Sequence, residues 1–262
     1  MKAGKVRKKV LALLLAGTAI LGLTGGGTMQ VEAAGQENAY VDTSSYEQLY
    51  KLYEDYFKLG IACQAMDHWN DPTAEIGNQE KEELINRMFN SMTFGNELKP
   101  AYNFDASSEN LFKVDFAAEE MLEWAKENNM KVRGHVLVWH SQVDPSIFAI
   151  DYQAYADGKL TKSDTAKLDE ECLVDREELL ARLKRYIYGV LEYTYKNGYA
   201  DVIYAWDVVN EAADENQYDG LRRSYWYQII GPDYLYYAFL YAREAETLYA
   251  CLLYTSPSPR DT

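Results

Sequence analysis

Residues 202–211 read Val-Ile-Tyr-Ala-Trp-Asp-Val-Val-Asn-Glu, and residues 131–142 read Lys-Val-Arg-Gly-His-Val-Leu-Val-Trp-His-Ser-Gln. Each is a short Val- and Leu-rich run that ends abruptly in polar residues. Val202 to Val209 is apolar on both faces, as a strand of a parallel sheet covered on both sides requires. Between the two runs, Leu179, Leu180, Leu183, Ile187, Val190 and Leu191 keep helical spacing, and Asn197-Gly198 supplies a C-terminal cap. Upstream, Val114, Ala117, Ala118, Met121, Leu122 and Ala125 mark another amphipathic helix. Two further strands are expected around Leu59–Cys63 and Met92–Phe94, and a further helix near Asp233. The pattern is a β-α series of about four units, which specifies a doubly wound sheet or a β/α barrel. No glycine-rich phosphate loop follows the first strand, which counts against a nucleotide-binding sheet. In a barrel, polar residues at the C-terminal ends of the strands build the site.

Those ends carry the unusual polar residues. The second strand runs into Gly95-Asn96-Glu97-Leu98-Lys99. The third is expected to place Arg133, His135, Leu137 and Trp139 on one face, followed by Gln142, and the fourth ends in Asn210-Glu211. Carboxamides, an ammonium, an imidazole, an indole and a carboxylate on one rim suit a sugar. Amide and ammonium groups bind hydroxyls, the indole packs against the C–H face of the ring, and a carboxylate in apolar surroundings can act as a proton donor. Plainer roles stand beside these: a helix-capping acid for Glu211, core packing for His135 and Trp139, and a surface lysine for Lys99.

The blocks Met92-Thr93 with Asn96 and Lys99, Arg133 to Gln142, and Trp206 to Glu211 resemble those of family 10 endo-β-1,4-xylanases. Leu221 to Ser224 and Trp226 to Tyr234 extend the similarity, which covers about Tyr46 to Arg243. The resemblance implies a (β/α)8 TIM barrel, truncated in this chain after strand four or five, and retaining hydrolysis of xylan by two glutamates. It maps the acid/base glutamate onto Glu211 and the asparagine beside the cleaved bond onto Asn210. It maps sugar ligands onto Asn96, Lys99, His135, Trp139 and Gln142. The family's nucleophile follows strand seven, has no counterpart here, and its absence implies an inactive chain. Gly95 stands where the family usually has glutamate, and Val143 to Phe148 lacks the tryptophan usual in that loop. A noncatalytic xylan-binding barrel and a β-1,4-glucanase are the alternatives.

Composition narrows the partners. The 262 residues hold 26 Lys plus Arg against 41 Asp plus Glu, a net charge of -15, so a basic nucleic-acid footprint is missing. Aromatic residues make up 14%, with 23 Tyr and 5 Trp, which suits a surface for flat ligands. Three cysteines give no disulfide framework. The histidines are His68, His135 and His140; the last two, five apart in a strand-like run, are expected on opposite faces, and no metal or cofactor site is expected. Residues 1–33 read as a secretory signal. Lys2, Lys5, Arg7, Lys8 and Lys9 precede an apolar run from Val10 to Leu23 and a small-residue stop at Ala33-Ala34. That run falls short of the roughly 20 residues of a spanning helix, so no membrane association is expected after cleavage. Residues 34–45 read as a polar leader and 46–250 as the barrel. Residues 251–262, from Cys251-Leu-Leu-Tyr-Thr-Ser-Pro, resemble a translated sequencing adapter. A secreted, extracellular protein, monomeric when complete, is the expectation.

Overall fold

The computed structural model describes residues 44–65, 73–151 and 170–255. The signal segment, most of the polar leader, His68 and the last seven residues of the tail lie outside them. In chain order the elements are α1 (Leu49–Tyr53), β1 (Gly60–Cys63), α2 (Gln79–Met88), β2 (Ser91–Phe94), α3 (Pro100–Asn103), α4 (Phe116–Glu127), β3 (Lys131–Val138), α5 (Arg176–Lys196), β4 (Ile203–Val209), α6 (Tyr225–Ile230) and α7 (Tyr234–Thr255). The strands form one sheet in the order β1-β2-β3-β4, every pair parallel. Helices α2, α4 and α5 are the crossovers between successive strands, which puts all strand C-termini on one rim.

Local chemistry sets the helix starts. Asn78, Asp115, Asp175 and Ser224 each accept an N–H of the first turn of α2, α4, α5 and α6, satisfying donors that have no partner within the helix. Asn197, Gly198 (φ 73°) and Tyr199 turn the chain out of α5 back toward the sheet. The apolar stripe of α4 buries Ala117, Ala118, Met121, Leu122 and Ala125 against Met92, Phe94 and Val132. That of α5 buries Leu179, Leu183, Ile187, Val190 and Leu191 together with Leu137 and Val138. The two clusters therefore form a helix layer on one face of the sheet.

Strict alternation fails in β3. The ladder with β4 shifts register between His135 and Val138, and Leu137 joins the α5 cluster instead of sharing a face with Arg133 and His135. Helix α7 runs on to Thr255. Among the described residues no helix is long and apolar enough to cross a membrane.

Candidate active site

The ends of β2, β3 and β4 bring three sets of side chains to one rim. At its centre, Trp139 Nε1 donates to Glu211 Oε2 at 3.1 Å, and His140 Nε2 stands 3.9 Å from the same oxygen. Beside it, Lys99 Nζ lies 5.1 Å from the centre of the Trp139 ring and donates to Asn96 Oδ1 at 2.8 Å. Lys99 is only 7% exposed, so its ammonium is held by a carboxamide and an indole face and not loose in solvent. Below lies a third set. Asp207 Oδ1 accepts two hydrogen bonds from the Arg133 guanidinium, one of 2.9 Å from Nε, while His135 Nδ1 donates to Asp207 Oδ2 at 2.9 Å. The hydrogen bonds and opposite charge of Asp207 raise the Arg133 pKa further. The His135 and Trp139 rings are 6.0 Å apart and tilted, so the lower set borders the upper one.

Backbone contacts lock the positions. Asn210 N–H donates to Val138 O at 3.0 Å, which fixes the ends of β3 and β4 against each other. Trp226 Nε1 donates to Trp139 O at 3.0 Å, and Arg222 Nε donates to Glu211 O at 3.0 Å. Glu211 (φ 49°) and Gln142 (φ 43°) adopt the left-handed region that non-glycine residues rarely enter. Such a conformation persists where surrounding bonds over-determine it, here Arg222 on the Glu211 carbonyl and Ala101 N–H on the Gln142 carbonyl.

Of the residues expected at the site, Asn96, Lys99, Trp139 and Glu211 are joined by direct contacts, and His135 borders them through Trp139. Asn210 lines a tight cleft with Trp139, His140 and Glu211. Gln142 is half-buried, three residues beyond Trp139, with its carbonyl on α3. Glu211 is not enclosed by apolar groups: its side chain is 54% exposed, which removes the desolvated setting inferred from the strand. The opposite-face expectation for His140 has no strand to act on. It lies past the end of β3, where period-two alternation no longer applies, and its ring packs edge-on to Trp139 at 5.9 Å. His140, Arg222 and Trp226 were not expected at the site. The signal for His140 was its place directly after Trp139 in the strand-end run.

Two other rim carboxylates are engaged. Glu97 is fully buried and accepts the N–H groups of Ala65 (3.0 Å) and Asn96 (2.9 Å). Asp207 is the anchor for Arg133 and His135. Among the described residues no group of three His, Cys, Asp or Glu is placed to hold a metal ion.

The sequence pattern of glycosyl hydrolase family 10 matches residues 48–256, a stretch that contains every one of these side chains. The chain belongs to glycosyl hydrolase family 10. Family 10 folds as a (β/α)8 barrel, and the four parallel strands with their helices are part of it. The family 10 chain is 38% identical over 199 residues to endo-1,4-beta-xylanase A of Thermotoga maritima, covering 76% of this chain and 16% of that protein. It is 39% identical over 213 residues to endo-1,4-beta-xylanase A of Caldicellulosiruptor sp. strain Rt8B.4, covering 81% and 27%. Among solved structures, a mutant of an intracellular xylanase from Thermoanaerobacterium saccharolyticum in complex with xylotriose is 34% identical, with a TM-score of 0.58. That match covers 76% of this chain and 53% of the other. The chain thus spans about half the length of that solved relative and a smaller share of the two longer ones.

Proposed function

We propose that the chain carries the sugar-binding rim and the acid/base residue of an endo-1,4-β-xylanase that works by retaining double displacement. The observation that carries the reading is Glu211. Its side chain is 54% exposed, unlike those of Glu97 and Asp207, and it is oriented by the Trp139 indole N–H beside the Lys99–Asn96 pair. In the first step Glu211 gives its proton to the glycosidic oxygen while a second carboxylate attacks the anomeric carbon. Glu211, now ionised, then takes a proton from the water that hydrolyses the glycosyl-enzyme. Asn210, Asn96 and Lys99 bind hydroxyls, and Trp139 packs on a ring face. The substrate is xylan or a xylo-oligosaccharide, the reaction needs no metal or cofactor, and residues 1–33 direct export.

Neither Glu97 nor Asp207 is free to serve as the nucleophile, because backbone amides hold one and Arg133 with His135 hold the other. The reading therefore assigns the nucleophile to neither of these two rim carboxylates but to a second glutamate of the complete barrel, as in retaining hydrolysis.

The test compares the full chain with a gene extended through a complete barrel. Glu211→Ala in the extended protein is expected to lower xylan hydrolysis by about 10²–10⁴-fold. It should spare the first step on aryl xylosides with good leaving groups, which need no proton, and added azide should trap a β-xylosyl azide. Xylan hydrolysis at the parent rate would overturn the assignment. Faster cleavage of cellulose than of xylan would favour a glucanase.

A further inference from the structure

We infer that Tyr218 is a sugar-stacking platform that extends the cleft on the side of Glu211 away from Asn96 and Lys99. The inference rests on the xylanase reading and adds a residue that grips the β-1,4-xylan chain beyond the cleavage point. Rim ligands follow the sheet order: Asn96 and Lys99 after β2, Trp139 after β3, Glu211 after β4. Neighbouring strands lie about 4.8 Å apart, so a linear polysaccharide crossing the rim meets these residues in turn. Past Glu211 it meets the loop of residues 212–222.

That loop is built, not slack. Ala213 and Leu221 pair in an antiparallel bridge, Asp214 N–H donates to Gly220 O at 2.9 Å, and Gly220 N–H donates to Gln217 O at 3.0 Å. Gly220 turns the tip with φ 71°. At the root, Arg222 is bonded to the carbonyls of Glu211 and Ala212, so the loop is anchored on the acid/base residue itself.

Tyr218 sits at the tip and is 93% exposed. An aromatic side chain so open to water normally has many rotamers to lose on binding. Here the support is ordered. The Arg223 guanidinium lies 5.2 Å from the Tyr218 ring centre and 4.0 Å from that of Tyr227. Asp219 holds Arg223 through two bonds, 3.0 Å from Nη1 to Oδ2 and 2.9 Å from Nη2 to Oδ1. The Tyr227 hydroxyl donates to the same Asp219 Oδ2 at 2.9 Å. Asp219 orders the Arg223 guanidinium between the two rings, and the cation–π contact biases the exposed Tyr218 ring before any ligand arrives, which lowers the entropy cost of binding. The chemistry it offers is a flat apolar face flanked by a cation and a hydroxyl, which fits the C–H face and hydroxyl edge of an uncharged pyranose.

The experiment titrates the full chain and its Tyr218→Ala and Tyr218→Phe variants with xylotriose and xylohexaose by calorimetry. Tyr218→Ala is expected to weaken xylohexaose binding about three- to tenfold, the range for loss of one aromatic contact, and to leave xylotriose unchanged. Tyr218→Phe, which keeps the ring, should behave as the parent. Circular dichroism should be unaltered, because the side chain is outside the core. Parent-like xylohexaose binding by Tyr218→Ala would overturn the platform while leaving the xylanase reading intact. So would equal losses for both sugars, or a Phe variant as weak as the Ala variant. A parent chain that binds neither sugar would overturn the xylanase reading, and the platform with it.

Discussion

Gly134→Ala tests how the rim is held. Gly134 in β3 is the register partner of Trp206 in β4. A methyl built on Gly134 would lie 2.3, 2.5 and 2.6 Å from Cε3, Cδ2 and Cζ3 of the Trp206 indole. Carbon atoms in contact settle at about 3.5–4.0 Å, so the ring must retreat by about 1 Å. It has somewhere to go: Trp206 borders a cavity of about 290 Å³ between β4, α5 and α7. Overpacking costs typically about 1–3 kcal/mol, and that room places this case near the middle of the range. Alanine in a strand returns about 0.5–1 kcal/mol of backbone entropy relative to glycine. The net expectation is about 1–1.5 kcal/mol of destabilisation, read as a lower urea midpoint with an unchanged slope. On the proposed xylanase reading sugar binding should weaken as well, because the Trp139–Glu211 bond joins the ends of these same two strands. Trp206→Phe removes part of the obstructing ring, so the pair of substitutions should be less harmful together than their sum by about 0.5 kcal/mol or more. A Gly134→Ala variant as stable as the parent, with a strictly additive double variant, would refute the reasoning.

Two further outcomes follow from the hydrogen bonds. Arg182, 4% exposed, donates to the carbonyls of Ala149 (2.6 Å) and Ile147 (3.0 Å) and pairs with Glu178 at 2.7 Å. At about 1–3 kcal/mol per buried group left without a partner, Arg182→Ala should destabilise by about 3 kcal/mol in thermal unfolding, and a loss under 1 kcal/mol would contradict the assignment. The Asp219 carboxyl is lowered to about 2, first by the Arg223 hydrogen bonds and then by those from the Tyr227 hydroxyl and the Leu221 amide. Its folded value lies below the unfolded value of about 3.9, so the clamp under Tyr218 is fully present above that and lost as pH falls through about 2. Side-chain NMR should show Asp219 titrating near that lower value, and an unshifted titration near 4 would count against the clamp.

The fold was legible because its signals are local. The strand read as Val202 to Val209 begins one residue later, at Ile203, and the helix read from 179 to 191 extends to Arg176–Lys196 around the same apolar stripe. Helix α6 leaves no period in the sequence, because six residues between a Ser224 cap and Gly231 are too few to show one. The rim residues were legible as types that interrupt apolar strands. Their partners were not. Asp207 meets Arg133 across 74 residues and His135 across 72, and Glu97 meets Ala65 across 32. Leu137 went astray for a related reason, since the register shift in the β3–β4 ladder depends on both strands and has no mark in either.

Those long-range pairings also sort the carboxylates by role. Glu97 faces backbone amides in a fully buried position, where its charge is matched and its oxygens are occupied. Asp207 satisfies a guanidinium and an imidazole. Glu97 braces the turn after β2 and Asp207 ties β4 to β3, so the oxygens of both already have partners. Glu211 has the Trp139 indole N–H on Oε2, His140 Nε2 3.9 Å from the same oxygen and a side chain 54% exposed, the setting that the proposed acid/base role requires. An acidic chain of net charge -15 pays no electrostatic penalty in binding an uncharged polysaccharide, whereas it would repel nucleic acid. Arg133, His135 and Asp207 are thus polar residues within β3 and β4 that satisfy one another, whereas Glu211 stands past the end of β4.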